Sequence, residues 1–340
     1  MKSLVRPNIR KLRPYVCARN LYQEGILLDA NENAFADDTQ ALNRYPDPES
    51  KKLRTALAVY AGVKTENIFA GVGSDEIIDL LIRIFAAPRE EIIVLEPTYG
   101  MYQVVAQIND VKLKPCLLTE NFQPDLRKIR KCISPKTKML FCASPNSPTG
   151  NLLNPSDLKK LCAIFPGIIV IDEAYIEFSS QPSFAENLRR FKNLVILRTL
   201  SKAWGLAGIR VGYCIANPLI IEYLMKIKPP YNMNSVSASL AEKALKNKEN
   251  LAELRQKMMQ ERTRLSHELK KLGATVFPSE ANFLLVKIPS ASSIIKKLAE
   301  DFTIIVRDFS SRPLLKDCFR VTVGTREENR AFIQSLTTFL

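Results

Sequence analysis

Short apolar runs alternate with longer amphipathic stretches through the first two thirds of the chain. Apolar runs predict strands at 67–70, 91–95, 112–116, 138–142, 168–172, 194–198 and 212–216. Helical patterns lie between several of these runs, for example at 75–85 and 155–165. Continuous apolar strands that alternate with helices predict an α/β fold with a mostly parallel sheet covered on both faces.

The pattern changes after about residue 218. A long helical region with charged faces at 235–272 precedes short predicted strands at 282–286, 303–307 and 319–323, and a last helix is predicted from Glu327. We therefore expect three parts: an N-terminal arm at 1–30, a large domain at 31–230 and a smaller α+β domain at 231–340. A length of 340 residues agrees with one large and one smaller domain.

Composition narrows the class of protein. Hydrophobic residues at 46% and charged residues at 25% are typical of a soluble globular protein. No apolar run approaches the ~20 residues that span a bilayer. The basic N-terminus, MKSLVRPNIRKLRPYV, is not followed by the apolar region of a secretory signal, so we expect a cytoplasmic protein.

The cysteines, the single histidine and the net charge argue against a zinc site, His-dependent catalysis and nucleic-acid binding. The seven cysteines form no CxxC pair and several lie in apolar runs, so we interpret them as core residues in a reducing compartment. The single histidine, His267, points away from a buried leucine stripe, which disfavours both a zinc site and His-dependent catalysis. The net charge of +14 is spread over helical segments without interleaved aromatics, so we expect solvated helix faces and no nucleic-acid partner.

Ligands of open parallel sheets bind at the carboxyl ends of the strands, so the residues after each predicted strand are candidates for chemistry. After 67–70 comes GVGSDE, in which Ser74 and Asp75 begin a helix whose N–H groups favour a phosphate. The same two residues are equally good plain N-caps. The segment lacks the third glycine of GxGxxG and the GK[ST] of a P-loop, so it does not support dinucleotide or ATP binding.

Two further strand ends carry polar or cationic residues. A carboxylate at the end of a buried strand, Asp172, needs a partner, and it could be a helix cap, a metal ligand or the partner of a buried cation. Lys202 follows the run 194–198 among small and apolar residues. Desolvation and the positive charge of Arg210 are expected to lower its pKa toward the free amine that imine formation requires.

In this order, SPNSPTG, VIDEAY and RTLSKAWGLAGIRVGY resemble the fold-type I aminotransferases that depend on pyridoxal 5′-phosphate (PLP), and the resemblance covers most of the chain. Within that class, NIRKLRPYVCAR, LNRYPDPES, PPYNMNS and FRVTVGTREEN resemble the histidinol-phosphate family. The resemblance implies PLP as cofactor and a homodimer with shared active sites. It implies no metal site.

The resemblance also implies residue roles. Lys202 would hold PLP as a Schiff base and act as acid and base, while Asp172 would pair with the ring nitrogen. Tyr175 would hydrogen-bond the phenolic oxygen of PLP. Tyr99 would stack on the ring. The phosphate would be bound within one subunit by Ser74, Asp75, Ser201 and Arg210, and Tyr45 would reach the phosphate of the neighbouring subunit's cofactor. The sequence departs from the family at Ser147, where the family motif NNPTG has an asparagine that meets the phenolic oxygen.

The substrate implied by the resemblance is a phosphorylated amino alcohol. Arg320 matches an arginine that binds a carboxylate in related aminotransferases and the substrate phosphate in the histidinol-phosphate family, and Arg307 and Tyr15 look like its helpers. An arginine suits either anion, so this match alone does not choose between them. The implied reaction is transamination between L-histidinol phosphate and 2-oxoglutarate, which gives imidazole acetol phosphate and glutamate in histidine biosynthesis. An aromatic amino-acid aminotransferase and a threonine-phosphate decarboxylase are alternatives on the same fold. A regulatory protein that senses PLP is an alternative of a different class.

Overall fold

The strands of the first two thirds of the chain form one large sheet in the computed structural model, which describes residues 1–36 and 42–340. They are β1 (Ile68–Val72), β2 (Glu91–Glu96), β3 (Lys112–Leu117), β4 (Thr137–Ala143), β5 (Ile168–Asp172), β6 (Leu194–Thr199) and β7 (Val211–Ala216). Their order is β1-β7-β6-β5-β4-β2-β3, and only β7 runs antiparallel to its neighbours. The prediction of a mostly parallel sheet is confirmed, with all seven strands.

Four shorter strands form a second, antiparallel sheet near the C-terminus. They are β8 (Thr275–Val276), β9 (Phe283–Lys287), β10 (Arg307–Asp308) and β11 (Cys318–Thr322), in the order β10-β11-β9-β8. The strands predicted at 282–286 and 319–323 are confirmed. The strand predicted at 303–307 is wrong for most of its length, because Thr303 adopts a left-handed conformation (φ 53°) and extended pairing begins only at Arg307.

Helices cover both sheets. In the described residues they are α1 (Pro7–Lys11), α2 (Ala18–Leu21), α3 (Lys51–Ala61), α4 (Gly73–Phe85), α5 (Met101–Ile108), α6 (Leu126–Cys132), α7 (Pro155–Ile164), α8 (Pro218–Ile227), α9 (Ser235–Leu245), α10 (Lys248–Lys271), α11 (Ala291–Phe302) and α12 (Arg326–Thr337). The helical region predicted at 235–272 is divided into α9 and α10. Asn247 lies at the break, and its side chain accepts a hydrogen bond from the Asn250 N–H to begin the second helix.

The large sheet is buried on both faces because successive residues of its strands point to opposite sides. In β4, Met139 and Phe141 contact one apolar core together with residues of α4, α5 and α8. Leu140 and Cys142 contact the other core together with residues of α3, α7 and α9. A third core lies between the small sheet and α10, α11 and α12. This two-sided burial explains why the strands show continuous apolar runs.

The first residues of the N-terminal segment are attached to α4 of the large domain. Val5 is buried, and the Arg6 N–H donates to the Ile84 carbonyl over 3.0 Å. Farther along, α9 packs on α3, and Leu251 near the start of α10 lies in the same core. The division into an arm and two domains at residues 30 and 230 stays a prediction.

Membrane-spanning helices and metal sites were sought in residues 1–36 and 42–340. No helix there is long and apolar enough to cross a membrane. No group of three or more His, Cys, Asp or Glu side chains in the same ranges is placed to hold a metal ion. All cysteines are free and only Cys132 is partly exposed, which confirms their interpretation as core residues. His267 is exposed on α10, as predicted.

Candidate active site

A pocket lies at the edge of the large sheet where β1, β4, β5 and β6 end. The topology brings these strand ends together because all four strands run in the same direction. The pocket collects nine of the residues predicted to bind the cofactor: Ser74, Asp75, Tyr99, Ser147, Asp172, Tyr175, Ser201, Lys202 and Arg210. Residues that lie up to 136 positions apart in the chain, from Ser74 to Arg210, therefore meet in one place.

The start of α4 forms one wall of the pocket. Its first-turn N–H groups donate no hydrogen bond to an N-cap side chain. The Gly73 N–H donates to the Arg210 carbonyl over 2.8 Å, and the N–H groups of Ser74 and Asp75 that follow it are suited to bind an anion. Two glycines permit this geometry. A methyl group at Gly212 would lie 2.3 Å from the backbone nitrogen of Ser74, and one at Gly73 (φ +74°) would lie 2.7 Å from Nη2 of Arg210. The helix start thus lies directly on β7, with a guanidinium group beside it.

Asp172, the last residue of β5, points into the pocket from a nearly dry position. Only 6% of its surface is exposed, and burial raises the pKa of its carboxyl group. One carboxylate oxygen accepts from the Tyr102 hydroxyl over 2.6 Å and the other from the Ala174 N–H over 3.0 Å. A carboxylate held in this way is suited to a cationic partner that enters the pocket.

Tyr102 is a site residue that the sequence analysis missed. Its ring stacks on Phe141, with centroids 4.9 Å apart, and meets the ring of Tyr99 edge-on at 5.6 Å. The available signal was the motif EPTYGMY, in which the two tyrosines are three residues apart at the start of a helix. Tyr102 lies in the first turn of α5 and Tyr99 two residues before that helix, so the motif places both tyrosines at the same end of α5.

Lys202 follows β6 and reaches the pocket from the side of Tyr175. Its Nζ lies 5.7 Å from the centroid of the Tyr175 ring, and no carboxylate in residues 1–36 or 42–340 forms an ion pair with it. Partial loss of water lowers the pKa of Lys202, as predicted. The larger contribution from a like charge comes from Arg320, while Arg210 contributes less.

Ser147 joins two parts of the site. Its Oγ accepts a hydrogen bond from Nη1 of Arg320 over 2.7 Å, and its hydroxyl also hydrogen-bonds Tyr175, which lowers the pKa of that phenol against the larger raising effect of burial. This serine, which departs from the family motif, is 5% exposed, and its hydroxyl is hydrogen-bonded to both Arg320 and Tyr175. It connects the turn after β4 with the small sheet.

Two arginines of the small sheet face each other across a strand pair. Arg320 on β11 is the register partner of Arg307 on β10. The guanidinium carbon of Arg320 lies 5.2 Å from the ring centroid of Phe283 and 5.4 Å from that of Phe309. Like charges directly opposite each other destabilise a strand pair. Neither arginine forms an ion pair within the described ranges, so the pair is suited to bind an anion.

Tyr45 and Tyr15 do not line this pocket. The Tyr45 ring stacks on Tyr231 with centroids 4.4 Å apart, and Tyr15 is 77% exposed beside Met225 of α8. Their roles in cofactor and substrate binding stay predictions.

Known proteins resemble the whole chain. The family described as "Aminotransferase class I and II" matches residues 19–336. The chain belongs to this family. A histidinol-phosphate aminotransferase of Flavobacterium johnsoniae is 41% identical over 344 aligned residues, with 99% of this chain and 97% of the relative covered. One of Bacteroides thetaiotaomicron is 42% identical over 345 aligned residues, covering 100% and 99%.

Solved structures agree with this assignment. The histidinol-phosphate aminotransferase of Sinorhizobium meliloti, in complex with pyridoxal 5′-phosphate, superposes with a TM-score of 0.82 at 24% identity, over 87% of this chain and 84% of that one. The enzyme from Clostridium acetobutylicum gives a TM-score of 0.81 at 28% identity, over 88% and 91%. The predictions of a fold-type I, PLP-dependent aminotransferase and of PLP as its cofactor are confirmed.

The residues of this aminotransferase fit the parts of PLP. The uncapped start of α4 and the Arg210 guanidinium provide N–H donors suited to a phosphate ester. The buried Asp172 carboxylate offers the negative charge that a protonated ring nitrogen needs. Lys202 supplies an amine with a lowered pKa in the same pocket.

Proposed function

We propose that this aminotransferase transfers the amino group between L-histidinol phosphate and 2-oxoglutarate, giving imidazole acetol phosphate and glutamate, a step of histidine biosynthesis. The observation that carries the proposal is the Arg307–Arg320 pair, which offers two positive charges to a substrate anion and whose Arg320 charge acts on Lys202. A dianionic phosphate suits two guanidinium groups. The names of relatives that align over nearly the full chain support the same substrate.

The proposed roles at the cofactor follow from these contacts. PLP, when bound, supplies an aldehyde that condenses with amines and a ring that accepts electron density. Asp172 balances the positive charge of the ring nitrogen, and Tyr102 and the Ala174 N–H hold its carboxylate in place. The Lys202 amine carries the cofactor and then takes the proton from the substrate Cα. A lowered pKa favours the neutral amine that both tasks need.

The other pocket residues orient the cofactor in this proposal. Tyr99 covers the ring, and Tyr175 donates to its phenolic oxygen with Ser147 behind it. The phosphate is bound by the first turn of α4 at Ser74 and Asp75, by Ser201 and by Arg210. The Asp75 carboxylate does not oppose this, because it is paired with Arg210 over 3.5 Å and accepts from the Tyr99 hydroxyl over 3.1 Å.

A substrate panel tests the proposal. We expect turnover of L-histidinol phosphate with 2-oxoglutarate, and the Arg320→Gln variant is expected to lose about 10- to 100-fold in kcat/KM because it loses charge-assisted hydrogen bonds to the phosphate. The control is L-histidinol, which lacks the phosphate. The variant should discriminate less between the two amino alcohols than the wild type does, as measured by initial rates.

Two outcomes would contradict the substrate assignment. Efficient amino transfer from glutamate to phenylpyruvate without turnover of histidinol phosphate would establish the aromatic alternative. Release of carbon dioxide from a phosphorylated amino acid would establish the decarboxylase alternative.

We further propose a homodimer in which Tyr45 reaches the cofactor phosphate of the neighbouring subunit. Large apolar side chains near Tyr45 are unusually exposed: Ile26 by 92%, Leu28 by 83% and Phe35 by 96%. Exposed apolar patches of this kind mark interaction surfaces. Light scattering after size exclusion is expected to give twice the mass of the chain.

Mixing two inactive variants tests whether the sites are shared. In a mixed dimer of Lys202→Ala with Tyr45→Ala, one active site carries both substitutions and the other carries neither. Random association makes half of the dimers mixed, so about one quarter of all active sites should be intact. No recovery in mixed dimers, or a fully active monomer, would contradict shared sites. A mixture of Lys202→Ala with Asp172→Ala is the matched control, because both lesions then lie in sites of their own subunit.

A further inference from the structure

A cluster of charged and phenolic side chains, three of them buried and two partly buried, lies behind the pocket, on the opposite face of the large sheet. We call it the rear cluster; its residues are Tyr60 of α3, Glu173 and Glu177 after β5, Arg198 of β6 and Tyr213 of β7. Asp172 and Arg198 point to opposite faces, because Asp172 is in register with Leu197 on the neighbouring strand. The cluster therefore cannot touch a molecule in the pocket, and the proposed chemistry does not use it.

Glu173 fixes the turn that follows Asp172. Its Oε2 accepts from Nε of Arg198 over 3.0 Å and from the Ser183 hydroxyl over 2.7 Å, while its Oε1 accepts from the Phe184 N–H over 2.6 Å. Only 1% of Glu173 is exposed. The buried ion pair thus joins β6 to the chain between Asp172 and Tyr175, both of which line the pocket.

Glu177 links the same segment to the one that carries the lysine. It lies two residues after Tyr175, and its Oε1 accepts from the Tyr60 hydroxyl over 3.2 Å. The Tyr60 ring meets Trp204 edge-on with centroids 5.1 Å apart. Trp204 is buried two residues after Lys202. Two side-chain contacts, Glu177 with Tyr60 and Tyr60 with Trp204, therefore join the backbone segment that carries Tyr175 to the one that carries Lys202.

We propose that Arg198 and Glu173, with Glu177 and Tyr60, are positioning residues that hold Tyr175 and Lys202 at their places in the pocket from the far side of the sheet. The inference rests on the roles proposed above for these two residues. Catalytic geometry is sensitive to displacement, and a shift of about 1 Å can cost about 100-fold in rate. Two loops that carry reacting groups need such a support because loops are otherwise the mobile parts of a fold.

The charges of the rear cluster make Glu177 responsive to pH. Burial raises the pKa of Glu177 to about 7, against the lowering effects of the Arg198 charge and of the Tyr60 hydrogen bond. The groups that face it are Arg198 on β6, Tyr60 on α3 and Glu173 after β5, with Tyr213 on β7 beside Arg198 and Lys248 of α10 over the Tyr60 ring at 5.9 Å. Burial raises the pKa of Glu173 as well. Because Glu173 accepts three hydrogen bonds, one of them from Arg198, and Glu177 accepts only that of Tyr60 among described side chains, we expect Glu177 to be the member that binds the proton.

The only tryptophan of the chain lies next to the cluster, which gives a direct readout. In the full-length protein without cofactor, Trp204 emission is expected to change with a midpoint near pH 7, and Glu177→Gln should abolish that change. Glu186→Gln, an exposed carboxylate nearby in the chain, is the matched control and should behave as the wild type. A flat wild-type profile between pH 5 and 9, or a change that survives in Glu177→Gln, would overturn the link from Glu177 to Trp204.

The positioning role is tested in the holoenzyme with Arg198→Met. We expect the pH midpoint of the cofactor absorbance to move by about 0.5 to 1 unit, because the hydrogen bond from Tyr175 to the cofactor weakens. We also expect kcat to fall by about tenfold or more with a smaller change in KM. Arg198→Lys should restore part of both. The control is Ile196→Ala, which shortens a buried side chain on the same face of β6 and loses stability without altering a charge.

A purely structural role predicts a different result. If Arg198→Met and Ile196→Ala lost the same thermal stability and then showed the same absorbance midpoint and the same kcat, the proposal would be overturned. If Arg198→Met does not fold, Glu173→Gln and Tyr60→Phe support the same comparison, since both keep the shape of the side chain. Failure of Lys202 itself to carry the cofactor would instead contradict the proposed function, and peptide mapping of the wild type detects that separately.

Discussion

Replacement of Lys202 with alanine is expected to lower kcat by about 10³-fold or more while the protein remains folded. General acid–base catalysis by one side chain contributes about 10²- to 10⁴-fold, and the variant also loses the covalent attachment of the cofactor. Lys202 forms no ion pair with any described carboxylate and its pKa is lowered, so its ammonium group contributes little to folding. Steady-state rates and thermal unfolding of the same preparations check both halves of the expectation.

Three controls isolate the amine as the cause. Lys202→Arg keeps the positive charge but offers no neutral amine at the working pH, so it should be as inactive as the alanine variant. Added methylamine should restore part of the activity of Lys202→Ala only. Borohydride should fix the cofactor to Lys202 in the wild type, as shown by peptide mapping. A variant that retains more than about one tenth of the wild-type kcat would contradict the assignment.

The sequence predicted the large sheet well because burial on both faces leaves an unmistakable apolar run in each strand. β8 escaped prediction because a strand of two residues, Thr275–Val276, has no period to detect. The strand predicted at 303–307 failed for a local reason, since the left-handed backbone at Thr303, the C-cap of α11, interrupts the extended conformation and strand pairing begins only at Arg307.

The site was predictable where a residue belongs to a motif and not where its role depends on a partner distant in sequence. Asp172 and Lys202 follow apolar runs and belong to known patterns. By contrast, Tyr60 and Glu177 are 117 residues apart, and nothing in one sequence pairs them. The same limit explains why Arg210, close in sequence to Lys202, was expected to lower its pKa, whereas Arg320 on the small sheet has the larger effect.

Asp172→Asn is expected to lower kcat by about 10²- to 10³-fold, because a neutral amide cannot balance the positive charge of the cofactor ring nitrogen. The amide keeps the size of the side chain, and it can still accept from the Ala174 N–H and pair with the Tyr102 hydroxyl. The loss is therefore electrostatic in origin. Single-turnover measurements with saturating substrate check it.

The same substitution should not destabilise the cofactor-free protein, and this contrast is the sharper test. Burial raises the pKa of Asp172, so the ionised carboxylate costs folding free energy at every pH above its unfolded-state pKa. Removing that charge should leave the cofactor-free variant at least as stable as the wild type at pH 7 to 8, whereas bound PLP should stabilise the wild type more than the variant. Tyr102→Phe is the control, since it removes a donor and keeps the carboxylate, and it should cost no more than about tenfold in kcat. If Asp172→Asn instead unfolds without cofactor and regains normal kcat with it, Asp172 is a structural residue and the pairing with the ring nitrogen is wrong.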